Sequence, residues 1–485
     1  MELSQMRRGR AEKAPATTGE QPMVADADQI ATTVHHSRTA VRGRYMWLRK
    51  HRVAALRGLR AFVQDNRNAI YRALYQDLGK HPVESSLTEI DRLAGEIDQV
   101  LLHLSDWMEP QNVRVPFKLQ PATARVQAQP LGLVLVISPW NYPLALSLIP
   151  AVSALAAGNS VIVKPSEFAT ATTALLSSEL PKYVDAKALA VVPGDAGTAQ
   201  ELLTHKFDHI FFTGSRRVGK EVYKAAAEQL TPTTLELGGK CPVVVTRGNA
   251  VTIARRIAYG KFTNAGQTCV APDYVLATSQ QAYDALIKEV PAAIREFYGK
   301  NPAKSTDFGR MINAAHFDRV QGYLTDGTVL CGGQTDAARR FIEPTVLVDV
   351  PLTAPVMREE IFGPVLPILR VDSFAAALDF IKQRPEPLAA YLFSDSSRQQ
   401  RSFEEQLRTG AIVHNVTLAQ MAVHDLPFGG AGASGFGNYH MKYGFDTFSQ
   451  DRPVFSKPLG MDTLRLAYPP FTGAKRRIVE SWLRE

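Results

Sequence analysis

The fold is decided by residues 131–165, LGLVLVISPWNYPLALSLIPAVSALAAGNSVIVKP, in which the first charged side chain is Lys164. A membrane-spanning helix needs roughly 20 uninterrupted apolar residues, but prolines and a Gly-Asn pair interrupt this stretch. Its parts predict a strand at 133–137, a turn, an apolar helix at 144–157 and a second strand at 160–163. Such strands are buried on both faces, which explains the missing charge without lipid. The stretch predicts a buried α/β core.

The same alternation continues along the chain. Before the stretch, apolar residues recur at helical spacing from Arg44 and again from Leu87, and EPQNVRVPFKLQPATARVQAQPLG then predicts a β-hairpin that leaves the domain. After it, ALAVVPG, HIFFTGS and TTLELGG read as strands separated by helices, as in a doubly wound parallel sheet. From Gly238 the pattern restarts with CPVVVTRG and runs to about His414, which predicts a second α/β domain.

Composition limits the function classes. The 485 residues are 45% hydrophobic and 21% charged, as in ordinary globular proteins of two or three domains. The net charge of +8 comes from scattered bases, so nucleic acid is not an expected partner. The three cysteines, Cys241, Cys269 and Cys331, fit neither a disulfide scaffold nor a zinc site, so we expect no metal and a reducing, cytoplasmic location. The polar residues 1–40 predict a disordered tail rather than a targeting signal.

Two motifs offer reactive side chains. In FTNAGQTCVAPDYV, small polar residues precede Cys269, which favours an exposed thiol near backbone N–H donors about as much as a buried small hydrophobe. In TLELGGK, Glu236 ends a strand at the edge where open α/β sheets bind ligands, although a solvated strand-terminal carboxylate would look the same.

Three further motifs lie at strand ends. In FFTGSRRVGKEV, Gly214 and Ser215 precede a helix whose N-terminus could accept a pyrophosphate, or they form an ordinary turn. In SPWNYP, Asn141 offers an amide donor suited to an oxyanion. In VKPSE, Lys164 and Glu167 could bind ribose hydroxyls, and both could equally be turn residues.

The order of these motifs, together with EEIFGPVLP and LPFGGAGASGFGNYH, resembles the aldehyde dehydrogenase superfamily over roughly residues 44–470. CVAPDYV, NYHMKYGFDTFS and RLAYPP resemble its class 3 branch of fatty and aromatic aldehyde dehydrogenases. Similar fatty aldehyde members carry a carboxyl-terminal membrane helix, which this sequence lacks, since AKRRIVESWLRE is amphipathic but too short. The resemblance implies a soluble enzyme with no integral membrane segment.

The resemblance also implies catalytic roles. Cys269 becomes the nucleophile that forms a thiohemiacetal and then a thioester. Asn141 and the Cys269 backbone N–H hold the oxyanion. Glu236 matches the base that activates the hydrolytic water.

Cofactor binding is implied by the same resemblance. The residues that match are Lys164, Glu167, Gly214, Ser215, Glu360 and Phe362. Charge repulsion between Glu167 and a 2′-phosphate favours NAD, while Arg216 and Arg217 leave NADP open.

The substrate and the architecture follow in the same way. Tyr142, Tyr259, Thr268 and His424 are expected to line the aldehyde site, which suits aromatic or medium- to long-chain aliphatic aldehydes. The implied fold is a Rossmann-type cofactor domain, an α/β catalytic domain and a small β oligomerisation element, in a homodimer. The predicted boundaries are a tail at 1–40, the cofactor domain at 41–110 and 130–236, the catalytic domain at 237–417, the oligomerisation element at 111–129 and 418–457, and a tail at 458–485.

Three alternatives remain at this point. A CoA-acylating dehydrogenase would transfer the thioester to CoA, and Glu236 argues against it because that transfer needs no hydrolytic base. A non-catalytic nucleotide-binding relative is disfavoured because Cys269, Glu236 and Asn141 are all present. A Cys/His hydrolase lacks an interpretable histidine partner.

Overall fold

The protein is described by a computed structural model that covers residues 24–460 and 462–482. Its helices are α1 (Ala27–Arg42), α2 (Arg49–Asp65), α3 (Arg67–Leu78), α4 (Pro82–Ser85), α5 (Asp91–Met108), α6 (Ala145–Ala157), α7 (Thr170–Glu179), α8 (Ala196–Thr204), α9 (Arg216–Glu228), α10 (Ala250–Phe262), α11 (Gln280–Tyr298), α12 (Ala314–Gly322), α13 (Pro355–Arg358), α14 (Phe374–Lys382), α15 (Ser397–Gln406), α16 (Met441–Thr447) and α17 (Gly473–Trp482). Its strands are β1 (Gln111–Val113), β2 (Thr123–Pro130), β3 (Leu133–Ile137), β4 (Ser160–Lys164), β5 (Leu189–Val191), β6 (His209–Gly214), β7 (Thr233–Leu237), β8 (Pro242–Val245), β9 (Tyr274–Ala277), β10 (Thr328–Cys331), β11 (Thr335–Asp336), β12 (Phe341–Ile342), β13 (Thr345–Val348), β14 (Val365–Arg370), β15 (Ala389–Phe393), β16 (Ala411–His414), β17 (Gly435–Phe436) and β18 (Ser449–Ser456).

The first large sheet has the order β17-β7-β6-β3-β4-β5. Five of its strands run parallel, and β17 pairs antiparallel with β7 at one edge. Helix α6 is buried along its whole length, and β3 and β4 are buried at every position. The charge-free stretch is therefore a core strand–helix–strand unit, as the sequence predicts.

The second large sheet has the order β10-β13-β14-β9-β8-β15-β16. Its strands are parallel except β10, which pairs antiparallel with β13. The alternation of strands and helices after Gly238 thus builds a second parallel sheet. The α/β fold class is confirmed.

A third sheet of three strands lies apart from these, in the order β1-β2-β18. The predicted hairpin supplies β1 and β2, which pair antiparallel. Strand β18 comes from the far end of the chain and pairs with β2 over its full length, from Ser449 opposite Pro130 to Ser456 opposite Thr123. Most side chains of β18 are exposed.

The structure corrects the prediction of a disordered tail to residue 40. Helix α1 begins in that segment, with Asp26 as its N-cap and a reciprocal capping box with Gln29. Ile30 and Val34 are buried, and they pack against strands of the first sheet. These apolar residues recur at helical spacing but are few, so the polar composition of the segment did not indicate a packed helix. Residues 1–23 of the predicted tail lie outside the described residues.

The predicted carboxyl-terminal segment, 458–485, contains one further helix. Helix α17 spans Gly473–Trp482, and the side chains described along it are exposed or partly exposed. Throughout residues 24–460 and 462–482, none of the helices is long and apolar enough to cross a lipid bilayer.

Candidate active site

A cavity of about 1390 Å³ lies where the carboxyl ends of β6 and β7 meet loops of the second sheet. It is lined by most of the predicted site residues: Asn141, Tyr142, Gly214, Ser215, Glu236, Tyr259, Thr268, Cys269, Glu360, Phe362 and His424. Lys164 and Glu167 do not line it, although their neighbour Phe168 does. Residues more than 200 positions apart in the sequence therefore meet around one space.

The loop that carries Cys269 follows α10 and contains two residues with left-handed backbone conformations. Asn264 has φ 53° and Ala265 has φ 51°, which is uncommon for residues other than glycine. The turn leaves Cys269 partly buried at the cavity wall. Burial, with the nearby carboxyls of Glu360 and Glu236, raises the pKa of the Cys269 thiol to about 12. The thiol is therefore protonated at neutral pH in this state.

Glu236 is the fourth residue of β7 and is 2% exposed. Neither carboxyl oxygen has a hydrogen-bond partner within the described residues. Burial raises the pKa of this carboxyl well above its usual range, because a charged carboxylate would lose its hydration. Burial therefore favours the protonated form of Glu236, which lines the cavity.

Hydrogen bonds to both the side chain and the backbone hold Asn141 in place. Its Nδ2 donates to the Gln267 carbonyl over 3.0 Å. Its own carbonyl accepts from Lys80 Nζ over 3.0 Å and from Asn264 Nδ2 over 2.8 Å. These contacts fix the amide beside the cysteine loop.

The Lys80 ammonium that contacts Asn141 is itself part of a buried ion pair. Lys80 Nζ lies 2.6 Å from Glu89 Oε1, and both side chains are fully buried. The other carboxyl oxygen of Glu89 accepts from the Leu144 and Ala145 backbone N–H groups at the start of α6. Because every charge has a partner, the pair is a satisfied buried network. Sequence analysis missed both residues.

Glu360 and Phe362 lie in a loop whose backbone carbonyls accept hydrogen bonds from charged side chains. Arg319 donates to the Glu360 carbonyl over 3.2 Å and to the Ile361 carbonyl over 2.9 Å. Lys240 donates to the Glu359 carbonyl over 2.7 Å and is ion-paired with Asp273. Sequence analysis missed Arg319, Lys240 and Asp273.

One oxygen of the Glu360 carboxyl is available to accept a hydrogen bond from a ligand in the cavity. Its Oε1 has no partner among the residues that the structure describes. Burial and the charge of Asp273 raise the pKa of Glu360 to about 8. Phe362 packs edge-to-face against Trp140, with 5.3 Å between the ring centroids. A carboxyl with one free oxygen beside an aromatic wall suits a ligand that carries hydroxyl groups and a planar ring.

The turn after β6 forms another part of the cavity wall. Gly214 ends the strand, and Ser215 is the N-cap of α9, with its hydroxyl accepting from the Val218 backbone N–H. The free N–H groups at this helix N-terminus suit a phosphate. Lys164 and Glu167 form an ion pair over 2.9 Å at the end of β4. Together with Glu360, these features fit a dinucleotide.

The four residues predicted to contact the aldehyde also line the cavity. The Tyr142 and Thr268 hydroxyls are 2.5 Å apart. Tyr259 is 47% exposed at the cavity wall. The Nδ1 atom of His424 lies 3.7 Å from Glu96 Oε2. Arg92, Glu96 and His440 also line the cavity, and no sequence motif indicated them.

Comparison with known proteins agrees with this geometry. Residues 10–454 match the model of the aldehyde dehydrogenase family. A rat protein, aldehyde dehydrogenase family 3 member B1, is 46% identical over 430 residues, which cover 88% of this chain and 92% of the relative. The chain therefore belongs to the aldehyde dehydrogenase family and is an aldehyde dehydrogenase, in a family that uses NAD or NADP to oxidise aldehydes to acids.

Further similarities concern the branch and the fold. Mouse aldehyde dehydrogenase family 3 member B2 is 44% identical and aligns with 96% of this chain and 97% of its own length. The resemblance to the class 3 branch is thereby confirmed. The substrate-bound AldH structure from Staphylococcus aureus is 39% identical, with a TM-score of 0.91 over 94% of this chain and 99% of that one.

Proposed function

We propose that this enzyme oxidises aromatic and medium- to long-chain aliphatic aldehydes through a thioester on Cys269, which water activated by Glu236 then hydrolyses. The observation that carries the proposal is that Cys269, Glu236 and Asn141 line the same cavity. Aromatic and aliphatic side chains line the wall beside Cys269, including Tyr142, Leu146 and Phe428. Such a wall favours apolar aldehydes over small hydrated ones.

The first chemical step is addition of the Cys269 thiolate to the aldehyde carbon. The carbonyl π electrons move to oxygen, and the resulting oxyanion accepts hydrogen bonds from the second N–H of the Asn141 amide and the Cys269 backbone N–H. The nicotinamide, when bound, supplies the hydride acceptor and a positive charge near the thiol. Loss of hydride from the thiohemiacetal carbon re-forms the carbonyl as a thioester.

Hydrolysis of the thioester requires a base, and Glu236 is suited to that role. As a carboxylate it removes a proton from water as the water oxygen adds to the acyl carbon, and the Cys269 thiolate leaves with the carboxylic acid released. The raised pKa of Glu236 makes it a stronger base once ionised. A CoA-acylating enzyme would need no such group.

For the cofactor, we propose NAD in preference to NADP. Glu167, paired with Lys164, would accept bonds from the adenosine ribose hydroxyls and would repel a 2′-phosphate. Gly214 and Ser215 would hold the pyrophosphate, and Glu360 and Phe362 the nicotinamide ribose and ring. Arg216 and Arg217 also line the cavity, so NADP is expected as a weaker second cofactor.

We also propose a homodimer built on the three-stranded sheet. Strand β18 is an eight-residue edge strand, and no strand of the described chain pairs with its outer edge. Val113 and Phe455 are about half exposed on this sheet. An exposed edge of this length is protected when a second copy covers it.

The test follows the absorbance of the reduced nicotinamide with hexanal, decanal and benzaldehyde, using NAD or NADP with and without CoA. We expect reduction without CoA for the wild type, none for Cys269→Ala, and for Glu236→Gln a burst or a strongly slowed rate. Reduction only in the presence of CoA would support the acylating alternative. No reduction under any condition would support a non-catalytic binding protein.

A further inference from the structure

Arg92 places a guanidinium at the cavity wall, near enough to Cys269 for its charge to act on the thiol. It lies near the start of α5 and is partly buried at the cavity wall. Its hydrogen bond is to His440 Nε2, with a distance of 2.9 Å from Nη2. Within residues 24–460 and 462–482, no carboxylate forms an ion pair with Arg92. The charge of Arg92 acts on the Glu96 carboxylate, but His440 stands between the two groups, so the guanidinium has no direct carboxylate contact.

A buried carboxylate and a histidine orient this guanidinium. Glu96 is 2% exposed and accepts from the Met441 backbone N–H over 2.8 Å. His440 Nδ1 lies 3.5 Å from Glu96 Oε2. Hydrogen bonds keep the pKa of Glu96 below its usual range despite burial, whereas burial lowers the pKa of His440. A neutral His440 that carries its proton on Nδ1 therefore offers Nε2 as the acceptor for Arg92.

Three other acidic groups that line the cavity have different partners or are buried. Asp91 is ion-paired with Arg67 over 2.8 Å. Glu96 accepts from the Met441 N–H and lies beside His440, and Glu236 is a buried carboxyl whose pKa is raised by burial. Burial of an unpaired cation is costly, so an anion that reaches Arg92 gains both charge and hydrogen bonds.

We propose that Arg92 selects aldehydes that carry a carboxylate at the end remote from the aldehyde group. The guanidinium would donate two parallel hydrogen bonds to the carboxylate while the aldehyde carbon lies at Cys269. Glu96 and His440 are positioning residues that act through Arg92. This inference rests on the proposed function, because it names a class among the aldehydes that the Cys269 site oxidises.

The experiment compares two matched substrate pairs with purified full-length enzyme and NAD. The rigid pair is para-formylbenzoate and para-methylbenzaldehyde, and the flexible pair is suberate semialdehyde and octanal. The measured quantity is the ratio of kcat/KM between the carboxylated and uncharged member of each pair. We expect this ratio to fall by about tenfold or more in Arg92→Met, because a charge-assisted contact is lost, and to fall by a smaller factor in Arg92→Lys, which keeps the charge but not the two-pronged contact.

Arg255→Met is the matched control, since it removes the same charge from another cavity-lining arginine. Arg255 is already paired with Glu296 over 2.8 Å, so the ratio should change less than about twofold. His440→Phe keeps the aromatic ring but removes the acceptor. It should raise KM for the carboxylated aldehydes with kcat retained, and leave KM for the uncharged aldehydes unchanged.

The outcomes separate this inference from the proposed function. Oxidation of both members with an unchanged ratio in Arg92→Met would refute the role of Arg92 and leave the proposed function intact. An equal fall for both members would assign Arg92 to the reactivity of Cys269 or to folding instead, and would also refute selection of carboxylates. Failure of the wild type to oxidise any of the four aldehydes would refute the proposed function itself.

Discussion

Replacement of Gly238 by alanine tests whether Glu360 holds the cofactor. Gly238 follows β7 and lines the cavity. A Cβ atom built on Gly238 would lie 2.6 Å from both Cδ and Oε1 of Glu360 and would overlap Oε2. Carbon atoms in contact normally stay about 3.5–4.0 Å apart, so the carboxyl must move by about 1 Å. The obstructed atoms are the end of a flexible side chain, so the backbone can remain in place.

The expected effect is on cofactor affinity rather than on folding. Hydrogen bonds to a charged group contribute about 1.5–3 kcal/mol, so loss of the Glu360 contacts should weaken NAD binding by about ten- to a hundredfold. The free energy of unfolding should change by less than about 1 kcal/mol, because no backbone atom of Glu360 is obstructed.

Calorimetric titration with NAD measures the dissociation constant directly and requires no catalytic turnover. Gly322→Ala is the control, since a Cβ there meets nothing within 4 Å and NAD binding should not change. If Gly238 acts through Glu360, Gly238→Ala should add no further loss to Glu360→Ala. An unchanged Kd in Gly238→Ala, or a full additional loss in the double variant, would refute the reasoning.

Three further outcomes are expected. Iodoacetamide should alkylate Cys269 about tenfold faster for each pH unit from pH 7 to 10 when no cofactor is bound, because the pKa of the thiol is about 12. Mass spectrometry follows the rate, and a plateau below pH 9 would contradict this pKa. Glu89→Gln should lower the free energy of unfolding by about 3–5 kcal/mol in denaturant titrations, since Lys80 remains charged and buried, and a loss under about 1 kcal/mol would argue against the pair. Burial lowers the pKa of His209 from 6.5 to about 4, so on acidification the unfolded state binds the proton before the folded state does. The free energy of unfolding should therefore fall by up to about 3 kcal/mol as the pH is lowered from 6.5 to about 4. An equal pH dependence of this free energy in His209→Gln would contradict the assignment to His209.

Much of the fold could be predicted because the core is made of local patterns. The turn signals and β-branched runs in residues 131–165 define strands within one residue of β3 and β4, and a helix within one residue of α6. Such patterns depend on neighbours in the sequence and on burial on both faces, and both are visible without coordinates. The start of α1 was not predicted, because few apolar residues such as Ile30 and Val34 hold it to the sheet.

The site was less predictable where it depends on charges brought together from distant segments. No sequence pattern marks Lys80 or Glu89 as buried, yet both side chains are fully buried, and Lys80 donates to the Asn141 carbonyl. Arg92 and His440 are 348 positions apart, and no local pattern relates them. Only the packing of α5 against the segment before α16 gives the histidine a partner.

These placements give the resting cavity an uneven distribution of charge. At the catalytic end, burial disfavours the charged forms of Cys269 and Glu236, which lowers the repulsion felt by an approaching carbonyl oxygen. Toward the aldehyde side, Arg92 remains charged and is held by His440. Because Coulomb interactions strengthen away from bulk water, one oriented cation is enough to set the direction in which an anionic aldehyde enters. The carboxylate is drawn to Arg92, which leaves the aldehyde end for the thiol. An uncharged aldehyde lacks this orienting contact and relies on the apolar wall alone.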